Sequence, residues 1–397
     1  MKREILVGAW EEAVAACDAG LLARAALARD PRRYDAVLAL GKAALALRDG
    51  ALSVPACAGV AESLAITGAG TPHAGPHEVL IGEHPVPGPG SFAAGARALA
   101  WCRAARARGL RVLGLVSGGA SALCEAPVAG LTTTDLARAH RALVASGAPI
   151  AAMNAARRRL SAVKGGGLAE ALGPALARVL VLADVASGDP RVVGSGPLSA
   201  PPPEAEAGAA ALSVALAALG ITQLPPGSSG VEAPLPEVLA SPATLAEGLV
   251  AALSARGVAA AAPEVLEAPL EGVVDRVVRH LIERREAWVA AGEVGVTVPP
   301  GAVGSDGGRA RHLALAVRVA MARAAPDARW WFLAAGSDGR DGAGAAGAVL
   351  GHETRVAGAE AALAGFASGP WLRAAGCELA ETPPRTNVTD GYVAVAW

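Results

Sequence analysis

Two of the three lysines in this chain lie in glycine-rich turns, where a compact positive charge can meet a phosphate. The sequence has 35 lysines and arginines, and only Lys2, Lys42 and Lys164 are lysine, so the other 32 are arginine. Lys42 lies in Gly-Lys-Ala-Ala, and Lys164 precedes three glycines. An ammonium is a point charge and a guanidinium is a planar fork, so the two are not interchangeable beside a phosphate. Lys42 and Lys164 are therefore candidate binding residues. The alternative is chance placement in a lysine-poor, glycine-rich chain.

A second glycine turn, Ser117-Gly118-Gly119-Ala120-Ser121, follows an apolar strand pattern and precedes a helix pattern. Glycines allow a phosphate to approach the backbone and let N–H groups point at it. The alternative is a tight strand-to-helix turn without a ligand. No G-K-[ST] follows, so this is not a Walker A loop, and the turn is not G-x-G-x-x-G either, so a dinucleotide site has little support here. The G-x-S-x-G elbow of serine hydrolases is absent as well.

Two carboxylates, Asp184 and Asp189, come just after another apolar strand pattern. Mg²⁺ takes one or two protein carboxylates and keeps several waters, so this pair is a candidate metal site. A helix N-cap or an Asx-turn is the alternative. Two further aspartates, Asp338 and Asp341, lie in a glycine-rich turn that either faces a phosphate or metal or is simply solvated.

A basic, amide-containing segment follows the second glycine turn. On a helix, Asn154, Arg157, Arg158 and Ser161 approach one another through i+3 and i+4 spacing, and Lys164 comes shortly afterwards. Such donors suit a carboxylate or a phosphate. A solvated basic face is the alternative. Further upstream, His84 precedes a proline and is interpreted as a structural histidine, with acid–base chemistry as the alternative.

These residues need a scaffold of apolar strands that alternate with helices. Strands are predicted at 34–40, 111–116, 178–183, 293–298, 329–335 and 392–397, and helices at 10–29, 91–108, 135–146, 274–288 and 309–323. Near-continuous apolar strands separated by helices indicate a parallel sheet covered on both faces. A unit of strand, glycine turn and helix is predicted at 36–44, 112–122, 180–190 and 331–345. Ligands of such sheets bind at the carboxyl ends of the strands.

Length and composition limit the function classes. A chain of 397 residues predicts two domains, and Pro225 to Pro236 is the better linker candidate, ahead of Pro197 to Pro203. The net charge of −1 gives no footprint for nucleic acid or an anionic membrane. The five scattered cysteines, with no C-x-x-C, indicate a reducing cytosol, and no signal peptide or membrane span is visible. We therefore expect a cytoplasmic protein that is a monomer or a homodimer.

Taken in order, the segments resemble one family. They are the Gly-Lys turn, HPVP, SGG-x-SAL, N-x-x-R-x-x-LS-x-x-KGG, D-x-x-x-x-D with SGP, GGR, SDG-x-DG and T-N-V-x-D, between about residues 36 and 391. Each motif alone is weak, but eight in this order resemble the class II glycerate kinases, the glycerate 2-kinase family whose C-terminal part is the MOFRL domain. Some members carry the older name hydroxypyruvate reductase.

The resemblance implies transfer of a phosphoryl group from ATP, with Mg²⁺, to the 2-hydroxyl of D-glycerate. It implies a Rossmann-like N-terminal domain (1–236), a smaller C-terminal α/β domain (237–397) and an active site in the cleft between them. The resemblance implies catalytic roles for Lys42 and Arg309, and it implies that Ser117, Gly118, Gly119 and Ser121 bind the nucleotide. From the chemistry of the residues, Asp184 and Asp189 are candidates to bind Mg²⁺ or to accept the hydroxyl proton, and Asp184 is counted among the catalytic residues. Asn154, Arg157 and Lys164 are the candidate substrate-binding residues, with Arg157 or Lys164 for the glycerate carboxylate.

The sequence departs from the family pattern mainly in its C-terminal part. Ala120 replaces the third glycine of the SGGG turn, and Gly167 replaces a basic residue after KGG. The family run GGRNQEL reads Gly-Gly-Arg309-Ala-Arg-His-Leu here, and TGPTGTNV is reduced around Asn387. The acceptor preference is therefore open. A kinase for another 2-hydroxy acid, an NAD(P)H-dependent hydroxypyruvate reductase and a non-catalytic nucleotide-binding regulator stay as alternatives.

Overall fold

The structure is a computed structural model of the chain. It describes residues 2–68, 70, 72–200, 209–222, 232–298, 307–342 and 344–397. Most of the predicted linker between Pro225 and Pro236 lies outside these residues, as do residues 201–203 of the other proline-rich segment. The predicted glycine turn at 301–308 is described only at Gly307 and Gly308.

The helices and strands alternate along much of the described chain. The helices are α1 (Lys2–Ala16), α2 (Ala19–Leu27), α3 (Ala44–Leu52), α4 (Pro89–Ala107), α5 (Ala120–Leu123), α6 (Thr133–Ala145), α7 (Ile150–Leu160), α8 (Gly167–Leu172), α9 (Ala209–Leu219), α10 (Pro242–Ala255), α11 (Leu270–Glu283), α12 (Arg309–Ala324), α13 (Ala359–Ala364) and α14 (Ser368–Ala374). The strands are β1 (Ala36–Leu40), β2 (Glu62–Thr67), β3 (His77–Ile81), β4 (Val112–Ser117), β5 (Leu176–Leu182), β6 (Glu237–Ala240), β7 (Glu264–Pro269), β8 (Trp288–Gly295), β9 (Trp330–Gly336), β10 (Gly347–Gly351), β11 (Glu378–Leu379) and β12 (Asp390–Ala396).

The chain packs as two compact units. One, here the parallel-sheet unit, consists of Ala19–Ala183 and Asp189–Leu239. The other, the mixed-sheet unit, consists of Met1–Asp18, Asp184–Gly188 and Ala240–Trp397. The last change of unit, after Leu239, lies close to the predicted boundary at residue 236. In addition, the first 18 residues pack with the C-terminal part of the chain.

The parallel-sheet unit is built on the strand order β3-β2-β1-β4-β5-β6, and the pairings from β3 to β5 are parallel. Every residue of β1 and β4 is buried, as expected for strands with helices packed against the sheet. The prediction of a parallel α/β sheet is therefore confirmed. Leu40 pairs with Val116, so the turns that follow β1 and β4 leave the sheet side by side.

The mixed-sheet unit has the strand order β11-β10-β9-β12-β8-β7. The pairings from β11 to β8 are antiparallel, and only β7 and β8 run parallel. Trp330, Phe332 and Tyr392 lie in its core, packed with α11 and α12. The central strand β12 is buried throughout, and it begins at Asp390.

Several predicted elements differ from the structure. The helix predicted at 10–29 is two helices, because the chain turns at Cys17 and Asp18, where it passes from one unit to the other. The helix predicted at 274–288 ends at Glu283, and the strand predicted at 293–298 begins earlier, at Trp288. Hydrophobic periodicity alone cannot distinguish a short buried strand from the end of a helix.

Two of the four predicted strand–turn–helix units are wrong. The turn after β9 leads to the antiparallel strand β10, because the apolar run from Gly347 to Gly351 is buried and pairs with β9. After β5, residues 183–200 form turns and one short 3₁₀ segment rather than an α-helix. Three glycines and two prolines between residues 188 and 197 disfavour a continuous helix in this stretch. No helix in the described part of the chain is long and apolar enough to cross a bilayer.

Candidate functional site

Lys42 lies in a turn that is joined directly to the serine–glycine turn after β4. Its backbone N–H donates to the Gly118 carbonyl at 2.9 Å, and the next N–H, of Ala43, donates to Ser117 Oγ at 3.1 Å. The Ser117 hydroxyl in turn donates to the Leu40 carbonyl at 3.3 Å. Ser117 is fully buried, so its hydroxyl links the two turns internally. The backbone therefore fixes Lys42 beside Gly118 and Gly119.

Two glycines make this approach possible. Gly41 has φ +112°, and a Cβ there would lie 2.3 Å from Ser117 Oγ. Only glycine fits such a position. Gly119 also has positive φ, and a Cβ there would lie 3.1 Å from Lys42 Cγ and 3.4 Å from His84 Cδ2. Lys42 and His84 therefore converge over Gly119. His84, which was interpreted from the sequence as a structural histidine, is thus a candidate site residue.

The third turn of the site follows β5 and contacts the serine–glycine turn and the glycines that follow Lys164. Ser195 Oγ donates to Ser121 Oγ at 3.0 Å. The Ser195 carbonyl accepts from the Gly165 N–H at 2.9 Å, and the Gly196 carbonyl accepts from the Gly166 N–H at 2.8 Å. Ser195 itself has φ +66°, a left-handed conformation that is uncommon for serine. The structure thus brings together the turns at Lys42, Ser121 and Gly165.

Ala120, which replaces a glycine of the family pattern, is accommodated by a glycine in this third turn. A Cβ on Gly194 would lie 2.7 Å from the Ala120 Cβ. Any side chain at position 194 would therefore collide with the Ala120 methyl. The departure from the family pattern is absorbed by local packing.

The Lys164 ammonium is paired inside the protein. Lys164 is 3% exposed and forms an ion pair with Glu125, which is fully buried. The Ser161 hydroxyl donates to Glu125 Oε1 at 2.5 Å and accepts the Lys164 N–H at 3.2 Å. Sequence reasoning missed Glu125, although a lone carboxylate after the apolar SAL run was a visible signal. The two glycines that follow Lys164 bond to the turn after β5, while its ammonium is paired with Glu125.

Asn154 and Arg157 form a polar group with His140. Arg157 Nη1 donates to Asn154 Oδ1 at 3.2 Å. The buried Nε atom of Arg157 and the buried Nε2 atom of His140 have no hydrogen-bond partner among the described residues. Burial, with the charges of Lys164 and Arg157, lowers the pKa of His140 to about 3, so this imidazole is neutral at pH 7. An acidic ligand group would satisfy these donors.

The two aspartates predicted to bind metal have different environments. Asp189 accepts from Arg191 Nε at 3.0 Å and from Arg191 Nη2 at 2.8 Å, and this arginine holds the pKa of the carboxyl below its usual range. Asp189 is therefore a poor candidate for a metal ligand, because its carboxylate is already paired with Arg191. Asp184 lies two residues after β5 and stays the better candidate. The described residues contain no group of three or more side chains suited to a metal, but Mg²⁺ in phosphoryl-transfer enzymes takes few protein ligands and relies on substrate phosphates.

Arg309 begins α12 in the mixed-sheet unit and is held by two carboxylates. Its Nε donates to Asp390 Oδ2 at 2.6 Å, and its Nη2 donates to Glu293 Oε1 at 2.9 Å. Asp341 caps the same helix by accepting the N–H groups of Ala310 at 3.0 Å and Arg311 at 2.7 Å. The N-terminal end of α12 is therefore already capped by a carboxylate. The Asp341 side chain is buried, whereas its neighbours Arg340 and Gly342 are exposed.

The residues that replace the family pattern after Arg309 face inward. Arg311 is fully buried and pairs with Asp341 and with Glu378, at 2.7 Å from the latter. His312 stacks on Phe366, with ring centroids 4.8 Å apart. These replacements are compensated within the core of the mixed-sheet unit, and Arg309 itself is half-buried.

Comparison with known proteins agrees with this architecture. The domain of unknown function DUF4147 matches residues 5–226, and the MOFRL family model matches residues 286–390. A protein of Agrobacterium vitis that carries the name hydroxypyruvate reductase is 32% identical over 419 residues, covering 98% of this chain and 93% of that protein. A D-glycerate 2-kinase of Thermotoga maritima is 44% identical over 86 residues, which are 22% of this chain and 21% of the relative.

A solved structure shares the whole fold. The crystal structure of a glycerate kinase from Thermotoga maritima aligns over 100% of this chain and 99% of its own, with a TM-score of 0.80 and 24% identity. At that identity the likeness shows the fold. The family models and the full-length relative carry the family assignment. The ordered motifs were therefore interpreted correctly: this chain belongs to the glycerate 2-kinase family whose C-terminal part is the MOFRL domain.

Proposed function

We propose that this protein transfers a phosphoryl group from ATP, with Mg²⁺, to the 2-hydroxyl of D-glycerate, giving 2-phosphoglycerate and ADP. The observation that carries the proposal is the joining of the Lys42 turn to the Ser117–Ser121 turn by two hydrogen bonds. It fixes the backbone of a lysine beside a glycine turn at the carboxyl ends of parallel strands, where such sheets bind nucleotides. The names of the T. maritima relatives support glycerate as the acceptor.

Phosphoryl transfer requires charge neutralisation and in-line positioning more than covalent chemistry. In the proposed mechanism, Lys42 neutralises charge that develops on the transferring group, and Gly118, Gly119 and Ser121 face the nucleotide phosphates. Ser117 holds these turns together from below, since its hydroxyl is used internally. Arg309 is the proposed second cation on the transferring group. Its Nη1 atom has no hydrogen-bond partner among the described residues and is available to a ligand.

The glycerate carboxylate is assigned to Asn154 and Arg157, with His140 beside them. The unsatisfied Arg157 Nε atom supports this, because a buried donor without a partner costs about 1–3 kcal/mol, which a bound carboxylate offsets. Lys164 contributes through its pair with Glu125, which supports the Gly165 and Gly166 backbone. Asp184 is the residue proposed to hold Mg²⁺, which would neutralise phosphate charge, or to accept the hydroxyl proton.

An ADP-release assay with a panel of acceptors tests the proposal. We expect turnover with D-glycerate, ATP and Mg²⁺, and much less with L-glycerate, D-lactate or glycolate. Faster turnover of another 2-hydroxy acid would support the kinase activity but show that D-glycerate is not the preferred acceptor. Tight ATP binding without turnover of any acceptor would favour a non-catalytic nucleotide-binding regulator and would refute the proposal.

The second candidate is an NAD(P)H-dependent hydroxypyruvate reductase, which the name of the A. vitis relative favours. Hydride transfer to hydroxypyruvate would oxidise NAD(P)H and lower its absorbance. We expect no such change, because the G-x-G-x-x-G run of this sequence, residues 342–347, leads into the antiparallel strand β10 and does not open a helix after a parallel strand, as a dinucleotide site requires. Reduction of hydroxypyruvate at a rate above that of ADP release would reverse the order of the two candidates.

A further inference from the structure

We propose that Asp390 positions Arg309 for phosphoryl transfer. The inference rests on the role given to Arg309 under the proposed function and adds a residue that acts through it. Asp390 does not reach the reacting groups itself in this account. It is a positioning residue rather than a catalytic one.

The contacts make Asp390 the main anchor of the guanidinium. Its Oδ2 atom accepts from Arg309 Nε at 2.6 Å, and Asp390 is only 7% exposed. The second carboxylate, Glu293, accepts from Nη2 but has a side chain that is 53% exposed. A short charge-assisted bond out of water orients a guanidinium far more strongly than an exposed one. Nη1 is then directed away from both carboxylates.

Few groups in the sheet compete with Arg309 for a hydrogen bond to the Asp390 carboxylate. Asp390 is the first residue of the central strand β12, and it pairs with Gly292 in β8 and with Gly336 in β9. Neither position has a side chain that could bond to the carboxylate. The Tyr392 hydroxyl, from the same strand, lies 3.3 Å from Oδ2 and 3.2 Å from the Gly292 carbonyl, so it adds one weak donor.

The backbone just before Asp390 is held in an unfavourable conformation. Thr389 has φ +104°, which is rare for a β-branched residue. Its carbonyl accepts the Ser337 N–H at 3.0 Å, and Ser337 Oγ accepts the Val388 N–H at 3.0 Å. Strain of this kind is retained where the surrounding structure requires one geometry, often at functional sites. Here it sets the start of β12 and thus the place of the carboxylate.

The surrounding charges make this anchor sensitive to pH. Burial, with the nearby Asp341 and Asp338 carboxylates, raises the pKa of Asp390 to about 6, and Arg309 opposes that rise. Tyr392 on β12 and Glu293 on β8 are the other titratable groups in this cluster. Above pH 6 the ionised carboxylate holds Arg309. As the pH falls through 6, protonation removes the charge that anchors the guanidinium.

The test compares wild type with Asp390→Asn. If the inference is correct, kcat for ATP and D-glycerate falls about 10- to 100-fold, while both KM values stay within about threefold, since misplacement of a transition-state contact has that size. The acid limb near pH 6 disappears from the kcat profile of the variant. Asp30→Asn is the matched control, because Asp30 is also a buried aspartate bonded to an arginine, Arg178, at 2.6 Å. We expect its folded fraction to keep wild-type kcat.

A second readout does not depend on turnover. The Arg309 Nε–H NMR signal, assigned by its loss in Arg309→Lys, should be slow to exchange in wild type and fast in Asp390→Asn. Wild-type kcat in Asp390→Asn, or an unchanged Nε–H signal, overturns the inference. If wild type phosphorylates no hydroxy acid but the Nε–H signal still depends on Asp390, the proposed function fails while the positioning of Arg309 by Asp390 stands.

Discussion

At the scale of single residues, the positions of the two candidate lysines follow from their partners. Lys42 is half-buried, and its backbone is fixed by bonds to Gly118 and to Thr67. Lys164 is buried against Glu125. The sequence placed both in glycine turns and could not separate their roles, because Glu125 and Lys164 are 39 positions apart. A contact of that range depends on the fold and not on local spacing.

The choice of lysine at position 42 is open to a direct test. Lys42→Arg should lower kcat by at least about 100-fold, because a planar guanidinium cannot replace a compact ammonium beside a phosphate. The Lys42 side chain is also closely packed, since its Cγ lies 3.1 Å from the place that a Cβ on Gly119 would take. Lys42→Ala should fall at least as far. Thermal unfolding should show little change in Tm. Lys2→Arg serves as the control, since Lys2, the first residue of α1, lies over the Trp397 ring and not in the candidate site. Wild-type kcat in Lys42→Arg would contradict the point-charge argument.

The buried pair makes a prediction about stability. Lys164→Met leaves the Glu125 charge buried without its partner, so the free energy of unfolding should fall by about 3–5 kcal/mol. The double variant Lys164→Met with Glu125→Gln should recover part of this loss, since Ser161 can still donate to the amide oxygen. Urea unfolding measures both variants. A loss below about 1 kcal/mol in the single variant would show that the pair is not tightly coupled.

At the scale of elements, local patterns predicted six of the twelve described strands, with shifted bounds for β8, and the turns that end several of them. Apolar runs such as those of β1 and β4 are buried, and a glycine turn follows each. What failed were features decided by distant pairing. The antiparallel strand β10 follows the turn at Asp338 because β9 is there to pair with it. The split at Cys17 depends on which unit each helix joins.

The loop before β12 provides a test of stored strain. Thr389→Gly should raise the free energy of unfolding by about 1 kcal/mol, because glycine adopts φ +104° at little cost and the change also removes a buried hydroxyl without a partner among the described residues. Urea unfolding with an unchanged m-value would measure this. Thr386→Val is a companion variant, since its hydroxyl is equally unsatisfied while its backbone is ordinary. A destabilised Thr389→Gly protein would show that the side chain contributes more than the strain costs.

At the scale of the whole molecule, the parallel-sheet unit keeps most of the family motifs, whereas the mixed-sheet unit has altered ones. The parallel-sheet unit keeps Lys42 and the glycine turns, and of its two departures, Ala120 and Gly167, Ala120 packs against Gly194. The mixed-sheet unit has exchanged the residues after Arg309 for buried Arg311 and stacked His312, while Arg309 keeps both carboxylate partners. Family membership was predictable from the motif order. The compensation of each departure was not, because it depends on residues such as Glu378 that lie far along the chain.

Global stability should depend on pH through His140. The unfolded state takes up a proton near pH 6.5, whereas burial lowers the pKa of His140 to about 3 in the folded state. Because the unfolded state binds more protons between these values, stability falls as the pH drops below 6.5, by about 1.4 kcal/mol per pH unit from this group. Unfolding measured at pH 7.0, 6.0 and 5.0 should therefore show a shallower slope in His140→Leu. Identical slopes in wild type and variant would contradict the buried, neutral histidine.

The measurement that tests the central claim most directly is ³¹P and ¹³C NMR of a reaction containing wild-type protein, ATP, Mg²⁺ and ¹³C-labelled D-glycerate. We expect a new phosphomonoester signal coupled to carbon 2, equimolar with ADP and absent when Lys42→Ala replaces wild type. A phosphomonoester at carbon 3, or no phosphorylated product while D-glycerate and ATP are intact, would contradict the assignment of this chain as a glycerate 2-kinase.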